Sequence, residues 1–459
     1  MVRLVRALPL ALSVATAAAA QTNNPAGPPV AKSDYALTNV RIVAAPGRVI
    51  ERGTVVFVGG RITAVGANVP IPAGVVRMDL AGHTVYPGLI DAATSTGLPS
   101  PNRPLPTTSA DAAPTGGRGG GGRGAGQPLG RAGGAAQPPV ILPEVEADAE
   151  AADLFQPSEA ELRAIRAGGV TTVGLVFNGG IFPGRVGAAL TGTRENARLA
   201  LRASAAQQVS FGTKRNGLYP GTGIGSVAFI RQAFLDAQYE ARVETAFKAG
   251  TPGARPTNDP FARALVPAAT NAMPAWFVAN DERSIVRVAD IATERQLKNP
   301  VVVGSVEGWH VIPALKRMGA TAVVSVMWPA PDSVTGQTFK AIGLGKTGTA
   351  PATTAADTAE VRGNAAALIK AGIPVALASY GGASGANFRD RVRMAIAAGL
   401  SADDALRATT VTPAALLGVT AAVGTIEVGK LANVVVVNGN DLFAAGTPIK
   451  HVFVEGRLY

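Results

Sequence analysis

The chain of 459 residues has no cysteine and only three histidines. The missing cysteine excludes disulfides, thiolate nucleophiles and cysteine-ligated metal. His83, His310 and His451 restrict any imidazole chemistry to three positions. Charged residues make up 16% and aromatics 5%, against 47% apolar. Intrinsic disorder is therefore excluded for most of the chain. A sizeable core is available, enough for one large domain and a smaller one. No stretch of about 18 apolar residues is free of charge, glycine and proline, so no membrane span is expected once a leader is removed.

That leader is residues 1–20. Arg3 and Arg6 form a basic start, Leu8 to Ala15 a short apolar stretch, and Ala18-Ala19-Ala20 a small-residue cleavage site before Gln21. The alternative, an N-terminal anchor helix, needs a longer and less alanine-rich run. Cleavage implies a periplasmic or extracellular protein and lowers the net charge from +11 to +9. A second unusual segment spans residues 101–142. Between Gly116 and Gly134, eleven of nineteen residues are glycine, with Arg118, Arg123 and Arg131 among them. Tracts of this kind can hold nucleic acid when aromatics are interleaved. None is present, so it reads as a solvated basic linker and no nucleic-acid partner is expected.

The remainder divides by rhythm. Short alternating strands are expected at Ala36–Val43, Thr54–Val58 and Ile62–Val65, with Gly59-Gly60 as a two-residue hairpin turn. Strands return at Val434–Val437 and His451–Val454. Between these ends, continuous apolar strands alternate with helices. A helix at Ser158–Ala167 opens on a capping box, Ser158 with Glu161, and precedes a strand at Val170–Val176. Trp276–Ala279, Val301–Val303, Ala322–Val326 and Ile373–Leu377 are further strands. Helices are expected at Asp281–Gln296 and Ser401–Ala408. Phe229, Phe234 and Tyr239 fall at helical spacing and read as core. Buried strands alternating with helices imply a parallel sheet covered on both faces, and a (β/α)8 barrel closes naturally at this length.

Three runs carry a resemblance. Gly82-His83-Thr84-Val85-Tyr86-Pro87-Gly88-Leu89-Ile90-Asp91 leads into the first barrel strand. Gly399-Leu400-Ser401-Ala402-Asp403-Asp404-Ala405-Leu406 is followed by Thr412-Pro413-Ala414. Gly424-Thr425-Ile426-Glu427-Val428-Gly429-Lys430-Leu431-Ala432-Asn433-Val434 closes the set. Together they resemble the amidohydrolase superfamily, close to its imidazolonepropionase-like branch. The resemblance implies a (β/α)8 barrel over 82–417, carrying the insertion 101–142. It also implies a small β-sandwich built from both chain ends, 35–81 and 418–459. The activity it implies is hydrolysis of C–N bonds in amides, cyclic amides or peptides by metal-activated water.

The residues that would hold the metal are not there. The resemblance places a His-x-His pair after the first strand, where the chain reads Ala92-Ala93-Thr94-Ser95. It places single histidines near Val278 and near Val303, and an aspartate at Tyr380. No metal and no cofactor is therefore expected. His83 precedes the first barrel strand, His451 lies in the terminal strands, and His310 follows Gly304; convergence of the three is not expected. The pocket candidates are side chains at the C-terminal strand ends: Asp91, Thr94, Ser95, Asn178, Asn280, Glu307, Trp309, Trp328 and Tyr380. Asp91 also reads as a support for the strand-one loop and Asp281 as a helix cap. Glu307 beside Trp309 is the strongest polar–aromatic pair for a ligand. The phenol of Tyr380 is a donor and a poor general base. A serine nucleophile would need a His or Lys base, and Lys214 is one candidate.

The leading expectation is an exported, non-catalytic binding or accessory protein on an amidohydrolase-like scaffold. Its partner would be a small amide or peptide-like ligand, an intact amidohydrolase relative, or a second copy. The alternative is a hydrolase of non-peptide C–N bonds with a metal-free site.

Overall fold

The computed structural model describes residues 34–99, 146–192, 199–212, 219–257, 259–328, 355–380, 385 and 387–459. The expected leader at 1–20, the insertion at 101–142 and Lys214 lie outside these residues. Two eight-stranded sheets organise the rest.

The first sheet is made from both chain ends. Its N-terminal strands are β1 (Tyr35–Ala45), β2 (Arg48–Val58), β3 (Arg61–Gly66), β4 (Val76–Asp79) and β5 (His83–Pro87). Gly59 and Gly60 have φ of 60° and 83°, the pair of positive values that a two-residue turn matching strand twist requires. Val434–Asn438, Ile449–Val454 and Arg457–Leu458 complete the sheet at the other end of the chain, with Val434–Asn438 antiparallel to β5. Three strands separate Phe57 from Phe453 in the sheet order, yet their rings lie 5.1 Å apart. The sheet therefore folds over on itself, and its inner face buries Leu37, Ile42, Val85 and Val436.

The second sheet is the barrel. It comprises β6 (Leu89–Thr94), β7 (Val170–Leu175), β8 (Arg185–Leu190), β9 (Ala200–Ser210), β10 (Ala275–Ala279), β11 (Val301–Gly304), β12 (Thr321–Ser325) and β13 (Val375–Ala378), neighbours in that order. Side chains alternate across it, as a strand period of two requires. Leu89, Val173, Phe277, Val302, Val324 and Leu377 face the outer helices. Ile90, Ala92, Trp276, Val303, Val323 and Ala376 fill the interior. The barrel architecture is as expected, with one departure from strict β/α alternation. β8 runs antiparallel to both β7 and β9, so these three form a meander without a crossover helix.

The helices start where side chains cap them. Ser158 and Glu161 form the reciprocal capping box of α1 (Glu159–Ala167), which buries Leu162 and Ile165. The long α2 (Gly223–Lys248) and α3 (Pro260–Ala269) follow β9. Asp281 caps α4 (Glu282–Arg295), which presents Ile285, Val288 and Ile291 to the barrel. A short α5 (Ile312–Arg317) follows β11. Ser401 accepts from Asp404 N–H at the start of helix Ala402–Ala408. Each such cap is worth about 1 kcal/mol. Phe234 is buried as expected, but Tyr239 is 55% exposed. α2 carries apolar residues on nearly every face, so spacing alone does not single out the buried one. No helix among the described residues is long and apolar enough to cross a membrane.

Candidate functional site

In a barrel of parallel strands the C-terminal strand ends surround the pocket, and β6, β7, β9, β10, β11, β12 and β13 all point one way. Most polar groups there already have partners. Asp91 at β6 is fully buried. Its Oδ1 accepts Ser379 N–H at 2.8 Å and its Oδ2 accepts the Ser379 hydroxyl at 2.5 Å. This contact joins β6 to the end of β13 and closes the barrel seam. Thr94 is buried and bonds Thr96 through its hydroxyl at 3.1 Å, while the Ser95 carbonyl accepts Leu98 N–H in the same turn. The hydroxyl of Ser325, at the end of β12, donates to the Tyr380 carbonyl at 2.5 Å.

The next strand ends repeat the pattern. Asn280 lies over Gly304; a Cβ at that glycine would sit 1.8 Å from Asn280 Oδ1. Gly304 has φ of +93°, which a side chain would disfavour. Asp281 caps α4 through Ser284 N–H at 3.0 Å. Glu307 and Trp309 have different surroundings. Glu307 Oε2 accepts the Glu282 N–H at 2.9 Å, so its carboxylate holds the first turn of α4. Trp309 sits on a 3-10 turn, Gly308–Val311, and packs into the outer helical layer. Trp328 is also in that layer, with its carbonyl accepting from Arg391. Asn178 is exposed. The Glu307 reading has a direct test. Glu307→Ala is expected to lower stability by about 1 kcal/mol through loss of the helix contact, measured by thermal unfolding, and to leave ligand titrations of the barrel unchanged.

Tyr380 stands apart. Its side chain packs against the interior cluster, and its hydroxyl has no hydrogen-bond partner among the described residues. Burial pushes the phenol up to about 12, so it stays protonated and can only donate to, or accept from, a ligand. The same cluster holds Ala92, Ala93 and Val303 fully buried, with Val278 packed on its edge. The positions where the resemblance would put metal ligands carry alanine and valine, one neutral hydroxyl at Thr94 or Ser95, and one neutral phenol. That donor set does not fit a divalent cation, which needs imidazole, thiolate or carboxylate. Among the described residues no three His, Cys, Asp or Glu gather into a metal-holding group. His83 and His451 flank one strand of the terminal sheet, and His310 is exposed.

Sequence reasoning missed three residues here. Ser379 is the partner of Asp91. Gln208 accepts Phe177 N–H at 2.8 Å and donates to the Phe177 carbonyl at 2.9 Å, tying β9 to the end of β7. Asn364 donates to the Ser305 carbonyl at 2.7 Å from the helix Ala355–Lys370. Each pairs with a backbone or side-chain group 31 to 288 residues away, and no local pattern marks it.

Comparison with known proteins agrees with this architecture. The amidohydrolase family matches residues 308–459, the C-terminal third. No curated relative matches the sequence. An amidohydrolase from Thermotoga maritima superposes with a TM-score of 0.69 at 20% identity, over 92% of this chain and 99% of that one. A prolidase complexed with N-methylphosphonate-L-proline gives 0.51 at 18% identity, over 93% and 99%. Phenylurea hydrolase B gives 0.51 at 16% identity, over 93% and 97%. The chain has the amidohydrolase fold: a barrel of eight strands with a second sheet made by the two chain ends. Its C-terminal third carries the family's sequence signature as well.

Proposed function

We propose that this protein is an exported binding protein on an amidohydrolase scaffold, without metal-dependent hydrolysis. The observation that carries the reading is the cluster of Ala92, Ala93, Val278, Val303 and Tyr380 inside the barrel. Hydrolysis by this fold needs a cation to bring bound water to a hydroxide near neutral pH. Hydrocarbon supplies no lone pair to hold one. Tyr380 does not replace the proton-moving carboxylate, because a phenol pushed up to about 12 is not a base at neutral pH.

The pocket chemistry instead suits a small amide or peptide-like ligand. Tyr380, a partly exposed residue packed on that cluster, would donate its hydroxyl to the ligand's carbonyl. The prolidase complexed with N-methylphosphonate-L-proline supports a ligand of that class. Export rests on the leader at residues 1–20. An intact amidohydrolase relative or a second copy is the macromolecular partner such a scaffold would serve. A metal-free hydrolase of non-peptide C–N bonds is the competing reading. Its serine would need an accessible base, and the Ser379–Asp91 pair at the strand ends is fully buried. The test is a panel of amides, hydantoins and dipeptides assayed with zinc added. No turnover above blank is expected, while the best-bound amide loses about tenfold affinity in Tyr380→Phe through one lost hydrogen bond. Turnover above blank by the parent chain, or amide binding that is undiminished in Tyr380→Phe, would overturn the assignment.

A further inference from the structure

A cleft lies at the strand-start end of the barrel. It has a volume of about 550 Å³ and separates α1 from the strand Ile449–Val454. α1 ends at Gly168 and Gly169, which lead directly into the first residue of β7. The cleft is therefore at the strand-start end, away from Tyr380, and is independent of the function proposed above.

Its charges are unbalanced in a specific way. Glu159 and Arg163 are four residues apart on α1, the spacing at which they would pair. Glu159 is instead held by Arg166. Arg166 is only 5% exposed, donates to the Thr191 carbonyl at 2.6 Å, and stacks 4.2 Å over the Tyr459 ring. This buried guanidinium takes Glu159 as its counter-ion and leaves Arg163 without one among the described residues. Across the cleft Lys450 is also exposed, and neither cation has an ion-pair partner among the described residues. His451 adds no further positive charge. Burial first, then the charges of Lys450 and His83, push its imidazole below the ordinary value, so it is neutral at pH 7. Ile449, Val452 and Tyr459 complete the lining with apolar surface.

We infer that this cleft binds a small organic anion, with its charged head between Arg163 and Lys450 and its apolar body against Ile449, Val452 and Tyr459. Two free cations above an apolar wall are complementary to a carboxylate or phosphoryl group on a hydrocarbon body.

The experiment is isothermal titration of the purified full chain with phenylphosphate, benzoate and benzyl alcohol. At least one of the two anions is expected to bind, and the stronger one reports whether the head is phosphoryl or carboxylate. Benzyl alcohol, uncharged, of similar shape and not an amide, is expected to bind at least about tenfold more weakly. Arg163→Gln and Lys450→Gln are each expected to weaken the anion about tenfold. Both side chains are exposed, so unchanged melting temperatures will show that the variants remain folded. Tyr380→Phe is expected to leave this binding unaltered. Benzyl alcohol binding as tightly as the anions, anion binding that survives both substitutions, or no heat from either anion at millimolar concentration would each overturn the inference.

Discussion

Asp91→Ala is expected to destabilise the fold by about 3–5 kcal/mol. The carboxylate is fully buried and receives both the N–H and the hydroxyl of Ser379. Ala93 N–H adds a longer contact at 3.4 Å. Alanine would leave two Ser379 donors without acceptors in a dry seam, each costing about 1–3 kcal/mol. It would also remove the contact by which β6 and the end of β13 close the barrel. Asp91→Asn keeps an acceptor for the N–H and a hydrogen-bonding group for the hydroxyl, so its loss is expected to be roughly half as large. Urea unfolding checks both, with the shift appearing in the midpoint rather than in the slope. An alanine variant as stable as the parent would show that the barrel does not depend on this seam.

The second large effect is expected at Gly174 in β7. A Cβ built there meets the Ala92 carbonyl oxygen at 2.1 Å and its carbon at 2.8 Å. These are backbone atoms of β6, so no rotamer change relieves the overlap, and the two strands must separate. Overpacking of a rigid core costs about 1–3 kcal/mol, occasionally more, and a backbone obstacle places Gly174→Ala at the upper end. Gly223→Ala is the matched control. It lies at the first turn of α2 with nothing within 4 Å of a Cβ. There alanine is expected to be neutral or stabilising by a few tenths of a kcal/mol, through helix propensity. Melting temperatures of the two variants give the contrast. Equal temperatures would show that β6 and β7 are less tightly apposed than described.

Much of this fold is legible in residues that act locally. The capping box at Ser158 and Glu161, the apolar runs Val301–Val303 and Ala322–Val326, and the Gly59-Gly60 turn all specify their own neighbourhood. The meander was not legible. β8 is Arg-Val-Gly-Ala-Ala-Leu, small residues with little β signal, and β9 carries two buried glutamines that look like solvent-facing polar residues. Their amides meet the backbone of Phe177 and Gly184, partners set by the fold and not by spacing. Neighbours in sequence and neighbours in the barrel are different sets of residues. Glu307 and Trp309 are neighbours in sequence, yet the 3-10 turn sends one to the α4 terminus and the other to the outer layer. Ala92, Val278, Val303 and Tyr380 are far apart in sequence, yet barrel closure brings them together. Which residues meet at a strand end follows from strand order. What they can do there follows from their chemistry, and hydrocarbon at these positions could be read before the fold was known.

The most direct measurement of the central claim is the metal content of the full chain after incubation with excess zinc and exhaustive dialysis. A barrel with alanine, valine, one neutral hydroxyl and a protonated phenol at these positions is expected to retain zinc at trace level only. A full equivalent of zinc held per chain through dialysis would contradict it, because a cation bound that tightly needs ligands this site does not offer.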